Sequence, residues 1–236
     1  SGQISVTNGT GVQTNTQAGQ TATIINSGGI SGAIEGIELI GAGTTVAFVT
    51  NTESGYVAGQ HAILNTDAIP LSVTNAGTLS GEVDGIFTTG VINLNNSRII
   101  GTAGLAGSAA GVYMNTAAGT NNIISTTGII AGGPHAIYGY GVSIDGGNLT
   151  LNVQSGGVVN GGTGSLRLNS AGTAAVTIAS GGLVTGYVQA SGTGARTFII
   201  NGALGGNYDA GAGANTAVDT ITLGATGTVL NMTLGL

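Results

Sequence analysis

Cysteine, tryptophan and lysine are absent from this chain of 236 residues, and only two prolines and three arginines occur. Without cysteine the chain can form neither a disulfide framework nor a thiolate-ligated metal site. Three scattered arginines cannot neutralise a row of phosphates, which excludes nucleic acid as a partner. Heptads rich in Ala, Glu, Lys and Leu are also missing, so a coiled coil or a helical bundle is excluded.

Long apolar runs are missing as well, because no stretch approaches the roughly 18 consecutive apolar residues of a membrane-spanning helix. The first residues show no basic region followed by an apolar one, so no signal peptide is expected there. The chain is expected to be a processed product or a fragment. The formal net charge of −6 argues against anionic partners.

Glycine is abundant, with 47 of the 236 residues, and hydrophobic residues make up 41% of the chain. Most of the apolar content is Val, Ile, Leu and Ala, which suits a narrow and regular core. So much glycine could indicate disorder, but β-branched pairs recur at regular spacing, which disordered chains lack.

One phrase recurs along the whole chain: apolar residues, then Asn or Ser, a glycine, an aliphatic residue, one further residue and a closing glycine. Clear copies are 24–32 and 73–81. Eight further copies, some of them looser, occupy 6–14, 51–59, 93–101, 124–132, 153–161, 178–186, 198–206 and 223–231. Ten copies with a period of about 24 residues indicate a repeat protein in which each unit buries its core only by stacking on its neighbours.

A second phrase, a small residue followed by an aliphatic one, comes after most closing glycines. It is found at Gly36-Ile37, Ala62-Ile63, Gly85-Ile86, Gly111-Val112, Ala136-Ile137 and Ser165-Leu166. Three short strands per period, separated by Gly and Asn turns, predict a parallel β-solenoid of about ten coils, all-β, over residues 1–236 as a single domain. The competing fold is an antiparallel sandwich, which would not need the same phrase ten times.

Turn chemistry supports the solenoid. Asn8, Asn26 and Asn75 share a turn position in the alignment, and Thr126, Ser155 and Ser180 replace Asn further along. Asn tolerates a left-handed turn and can hydrogen-bond to the next coil. Coil length is not uniform, so loop excursions are expected near 102–110 and 140–148, where function on a solenoid tends to lie.

A candidate contact surface follows from strand alternation. If the aliphatic residues of the second phrase point inward, the residues after them point outward. These followers are Glu38, Leu64, Phe87, Tyr113, Tyr138 and Arg167. Phe87, Tyr113 and Tyr138 would then form an aromatic strip on one outer face, and Tyr and Phe are favoured in interfaces and in stacking on carbohydrate. The alternative is that the long excursions fold back and cover the strip.

The phrases at 26–32, 74–81, 180–186 and 219–224 resemble passenger domains of bacterial autotransporters, the type V secretion family. This resemblance implies a right-handed parallel β-helix, part of a longer polypeptide, that is secreted or held at the bacterial surface after export through the outer membrane. It also implies adhesion, biofilm formation or display of an effector. Filamentous haemagglutinin-like adhesins are the next most similar group.

Catalytic and metal-binding patterns give little support for an enzyme. Glu82 and Asp84 are the closest local acid pair and are expected to share one strand face, as a β-helical polysaccharide lyase or hydrolase would need. His61 and His135 are interpreted as partly exposed corner residues. An ice-binding array would need repeated Thr-x-Thr rows, and only 21–23 and 220–222 fit.

The sequence therefore predicts a non-enzymatic structural or adhesive protein that uses no cofactor and no metal. The expected partners are a host-cell receptor, a glycan or another copy of the chain. The domain itself is not expected to insert into a membrane. Open solenoid ends expose unpaired strand edges, so end-to-end self-association is also expected.

Overall fold

The computed structural model describes residues 2–41, 46–102, 109–134, 139–210 and 218–229. These residues form strands and turns but no helix, so none of them belongs to a helix that could cross a membrane. The strands are β1 (Gln3–Val6), β2 (Val12–Thr16), β3 (Thr21–Asn26), β4 (Gly29–Gly32), β5 (Glu35–Gly41), β6 (Val46–Asn51), β7 (Tyr56–Asn65), β8 (Leu71–Asn75), β9 (Thr78–Thr88), β10 (Ile92–Asn96), β11 (Ile99–Thr102), β12 (Val112–Met114), β13 (Asn121–Thr126), β14 (Ile129–Ala131), β15 (Tyr140–Ile144), β16 (Asn148–Val153), β17 (Val158–Leu168), β18 (Ala174–Ile178), β19 (Leu183–Ala190), β20 (Arg196–Ile200), β21 (Ala203–Gly205), β22 (Tyr208–Asp209), β23 (Thr220–Leu223) and β24 (Thr228–Val229).

The strands stack into three faces along one axis. Face 1 has the order β1-β4-β7-β9-β11-β14-β17-β19-β21-β24, and face 3 has the order β3-β6-β8-β10-β13-β16-β18-β20-β23. Face 2 contains β2, β5, β12, β15, β22 and the second halves of β7, β9, β17 and β19, which run around a corner from face 1. Every strand pair is parallel. The predicted parallel β-helix is confirmed, with about eight turns rather than ten.

Aliphatic ladders fill the interior. Ile37, Ile63, Ile86 and Val112 pair in register on face 2, as expected, and all four are fully buried. The next members are Val142, Leu166, Val188 and Tyr208. Val142 thus holds the place that the alignment gave to Ile137, which lies outside the described residues. Burial of such ladders removes apolar surface from water at every coil, which is the main stabilising contribution.

An asparagine ladder occupies the corner between faces 3 and 1. Asn26, Asn51, Asn75 and Asn96 follow one another at the ends of their strands, and each amide donates to the next side-chain oxygen at 2.8–3.1 Å, ending on Thr126. Asn26, Asn75 and Thr126 were predicted here. The prediction was wrong for Asn8, which lies between β1 and β2, and for Ser155 and Ser180, because Val153 and Ile178 continue the register after Thr126.

The two expected loop excursions have different outcomes. Most of the first, residues 103–108, lies outside the described residues. The second prediction, near 140–148, is wrong, because Tyr140–Ile144 forms β15 and pairs with both β12 and β17. The extra residues of this coil come before β15, where 135–138 lie outside the described residues.

Candidate functional site

A row of ionisable side chains begins face 2 in three successive coils. Glu35 of β5 pairs in register with His61 of β7, and His61 pairs with Asp84 of β9. The Nδ1 of His61 lies 2.9 Å from Glu35 Oε2, and its Nε2 lies 3.4 Å from Asp84 Oδ2. Both carboxylates are buried. The imidazole is therefore held between two negative charges.

The two carboxylates also complete the backbone hydrogen bonding at this corner. Regular pairing between β7 and β9 is interrupted between Gly59 and His61. Glu35 accepts from the backbone N–H of His61, and Asp84 accepts from the backbone N–H of Ala110, both at 2.9 Å. Buried N–H groups need such acceptors. The two carboxylates therefore stabilise the corner by accepting backbone hydrogen bonds, in addition to their ionic contacts with His61.

The environment keeps His61 protonated. Burial alone would lower its pKa, but the hydrogen bonds and charges of Asp84 and Glu35 outweigh burial and raise the pKa to about 9. His61 is only partly exposed, as expected, but it is an ion-paired group rather than an isolated corner residue. His135 lies outside the described residues.

We expect this pairing to make stability depend on pH in the alkaline range. Since the pKa of folded His61 lies above the unfolded value of 6.5, its contribution is complete below pH 6.5 and is lost as the pH rises through 9. The free energy of unfolding should fall by on the order of 2 kcal/mol across this interval. Urea titrations of the native chain and of His61→Gln measure it. The variant should lack this dependence of the free energy of unfolding on pH. An equal dependence in both proteins would contradict the raised pKa of His61.

The aromatic strip lies beside this row. Leu64, Phe87 and Tyr113 pair in register on the outer side of face 2, and all three are half-buried. The ring centroids of Phe87 and Tyr113 are 5.3 Å apart at an interplanar angle of 79°, and the ring of His61 lies 5.7 Å from that of Phe87. Phe87 and Tyr113, called the aromatic pair below, therefore form a fixed edge-to-face contact.

The outer row of face 2 that contains Phe87 and Tyr113 continues from β12 into β15. Ser143 of β15 pairs with Tyr113, at the place assigned to Tyr138. Tyr138 lies outside the described residues. A second small-aliphatic pair, Gly141-Val142, follows Ala136-Ile137 five residues later, and the structure uses this later pair. The sequence contained both pairs, and periodicity alone did not distinguish them.

Beyond Tyr113, the outer row of face 2 continues into a polar cluster. The Tyr113 hydroxyl donates to Asp145 at 2.5 Å, while Arg167 and Asn169 each donate to the same carboxylate at 2.9 Å. Arg167 also donates to Ser143 Oγ at 3.2 Å. Its side chain is 20% exposed. The outer row of face 2 therefore continues to the Arg167 guanidinium, whose orientation is fixed by its hydrogen bonds to Ser143 and Asp145.

The hydrogen bonds in this cluster set its protonation states. Burial, assisted by the hydrogen bond to Asp145, raises the pKa of Tyr113 to about 12. Burial would also raise the pKa of Asp145, but hydrogen bonds from Tyr113, Arg167 and Asn169 outweigh it and lower that pKa. At neutral pH the cluster therefore contains a neutral phenol, a carboxylate and a guanidinium.

The expected pairing of Glu82 with Asp84 on one strand face is wrong. Glu82 and Asp84 do not share a face, because the chain turns the corner between them and leaves Glu82 exposed and Asp84 buried. Within the described residues, no group of three His, Asp or Glu side chains is arranged to hold a metal ion.

Sequence reasoning missed the Glu35–His61–Asp84 row, although a signal was present. Each of these residues directly precedes a small-aliphatic pair, in Glu35-Gly36-Ile37, His61-Ala62-Ile63 and Asp84-Gly85-Ile86. Aligning the coils on that pair would have placed the three in one row. The contacts of Asp145 with Tyr113 and Arg167 had no comparable signal, because Asp145 lies in the turn after β15.

Compared with models of protein families, with curated proteins and with solved structures, the chain matches none. Its function is therefore inferred from its own side chains.

Proposed function

We propose that the chain is a secreted or cell-surface β-helix with an adhesive role, in which a stiff solenoid presents the aromatic pair to a glycan on another cell. The observation that carries this proposal is the partial exposure of Phe87 and Tyr113 in adjacent coils, at a fixed ring geometry. Aromatic rings of this kind stack on the apolar faces of sugar rings.

The surroundings of the aromatic pair support a polar ligand. Arg167 offers donors at one end of the row, and the hydroxyl oxygen of Tyr113 can still accept a hydrogen bond. Both groups are already held by Asp145, so little side-chain entropy would be lost on binding. The net charge of −6 and the acidic row beside Phe87 favour an uncharged glycan over an anionic one.

The solenoid gives the site rigidity. Strands on both sides of β9 and β12 pair with them in register, so the backbone under the aromatic pair is hydrogen-bonded in both directions along the axis.

The outer rows of face 3 favour no ice-binding array, because Ile25, Phe48 and Ile123 interrupt the Thr, Ser and Asn residues there.

A glycan array probed with the labelled chain, followed by cell binding measured by flow cytometry, tests the proposal. The double variant Phe87→Ala/Tyr113→Ala should lose at least tenfold in affinity, equivalent to about 1.4 kcal/mol. Phe48→Ala is the matched control, since Phe48 is an exposed aromatic residue on face 3 and its loss should change nothing. Unchanged binding in the double variant, with an intact fold, would refute the proposed site.

A further inference from the structure

A second tyrosine–aspartate pair lies on the outer side of face 2, three coils beyond Tyr113. Tyr187 of β19 is partly exposed, and its hydroxyl donates to the carboxylate of Asp209 in the next coil. Tyr113 donates to Asp145 of its next coil in the same way. Burial, assisted by the hydrogen bond to the carboxylate, raises the pKa of Tyr187 to about 12, as it does for Tyr113. Both phenols are therefore neutral and held in a fixed direction.

A polar side chain beside Tyr187 is also held in place. Gln189 points to the same side of β19 as Tyr187, because the buried Val188 lies between them. The side-chain oxygen of Gln189 accepts from the Tyr140 hydroxyl at 2.8 Å. Within the described residues the amide nitrogen of Gln189 has no hydrogen-bond partner, so it can donate to a ligand. Tyr187 and Gln189, called the second platform below, therefore combine an aromatic ring with a hydrogen-bond donor.

The second platform lies nearly in line with the aromatic pair along the solenoid axis. The outer row of face 2 connects the two in register, through Tyr113, Ser143, Arg167 and Gln189. Three coil spacings of about 4.8 Å and a sideways offset of two residues separate Tyr187 from Tyr113. The backbone of the second platform is thus roughly 16 Å from that of the aromatic pair.

We propose that the aromatic pair and the second platform bind one ligand, a straight and uncharged chain of β-1,4-linked sugars that lies along the axis. This inference rests on the proposed glycan-binding function and names the class of glycan. A 1,4-linked pyranose advances the chain by about 5 Å, since its bonds are about 1.5 Å long. The path from Tyr113 to Tyr187 therefore spans about three sugar units, and a chain of at least about four units reaches both platforms.

The linkage and the charge of the ligand follow from what lies along this path. In a β-1,4-linked glucan both bonds to each ring are equatorial, so the chain stays extended, whereas an α-1,4-linked chain curves away. The rings of such a chain expose apolar C–H faces that stack on aromatic side chains. The charge of Arg167 is paired with Asp145, and the carboxylate of Asp209 at the far end disfavours an anionic chain.

Isothermal titration calorimetry with cello-oligosaccharides of different lengths tests this inference. Two contacts joined by one chain bind more tightly than either alone, because the second contact forms within the complex. The affinity of the native protein should rise at least tenfold from cellobiose to cellohexaose. Maltohexaose, which has the same composition but α-1,4 linkages, should bind at least tenfold more weakly than cellohexaose.

The variant Tyr187→Ala removes the second platform and leaves the aromatic pair intact. It should lower the affinity for cellohexaose at least tenfold and change the affinity for cellobiose by less than about twofold. Tyr56→Ala is the matched control, because Tyr56 is an exposed tyrosine on face 1 and its loss should change neither affinity. Circular dichroism establishes that both variants keep the fold.

The results distinguish a failure of this inference from a failure of the proposed function. Equal affinities for cellobiose and cellohexaose, or cellohexaose binding that Tyr187→Ala leaves unchanged, would overturn the second platform and leave the aromatic pair in place. Absence of cellohexaose binding would overturn the assignment of a straight β-1,4-linked chain. The proposed function fails on a different result, glycan binding that Phe87→Ala/Tyr113→Ala does not weaken.

Discussion

Replacing Asn75 by alanine should lower the free energy of unfolding by about 3 kcal/mol. Asn75 is fully buried in the middle of the asparagine ladder. Its amide donates to Asn96 Oδ1 and to the carbonyls of Gly77 and Ile99, and its oxygen accepts from Asn51. Alanine would leave these groups buried without that partner, and a buried polar group without a hydrogen bond costs more than the bond contributed.

The matched control is Asn93→Ala on face 3. Asn93 lies on β10, only three residues before Asn96, but its side chain is exposed. Its loss should change the free energy of unfolding by no more than about 0.5 kcal/mol. Urea unfolding followed by circular dichroism measures both variants. Equal effects at Asn75 and Asn93 would contradict a structural role for the ladder.

Gly81→Ala should destabilise the fold more than Asn75→Ala does. An added Cβ at Gly81 would overlap the carbonyl group of Asp84, which is backbone at the corner between faces 1 and 2. The corner cannot relax without breaking the pairing of β9 with β7. We expect a loss of more than about 4 kcal/mol, or failure to fold, measured by thermal unfolding.

Gly101→Ala is the matched control for Gly81→Ala. Gly81 and Gly101 both close a copy of the repeated phrase, but an added Cβ at Gly101 would come no nearer than 3.8 Å to Ala131. Gly101 pairs with Ser80 rather than with Gly81. Its substitution should cost less than about 1 kcal/mol. Comparable losses at the two glycines would show that the corner is not where the structure places it.

Much of the fold could be predicted because the solenoid repeats its local chemistry. The small-aliphatic pairs at Ile37, Ile63, Ile86 and Val112 identify one ladder, since each coil must place an aliphatic side chain inward at the same point. Asn26 and Asn75 identify a corner for a similar reason. Such repeated local signals can be recognised in the sequence without knowledge of long-range contacts.

One error arose where coil length changes. Register between coils depends on the number of residues in each corner, and an insertion shifts every later position of that coil. This is why Val142 replaced Ile137 in the ladder and Ser143 took the place assigned to Tyr138. Glu82 and Asp84 were misassigned because alternation along a strand does not continue around a corner.

The coils wind in one direction, and each advances along the axis by one strand spacing. The chain lacks cysteine, so nitroxide labels can be introduced in pairs on one outer row of face 3, and their separation measured by double electron–electron resonance. Thr23, Thr150 and Thr197 lie in this row, with Thr150 five coils and Thr197 seven coils from Thr23. The predicted distances are about 24 Å for 23/150 and about 34 Å for 23/197, at 4.8 Å per coil. Distances that fail to increase from the first pair to the second, as an antiparallel sandwich would give, would contradict the solenoid.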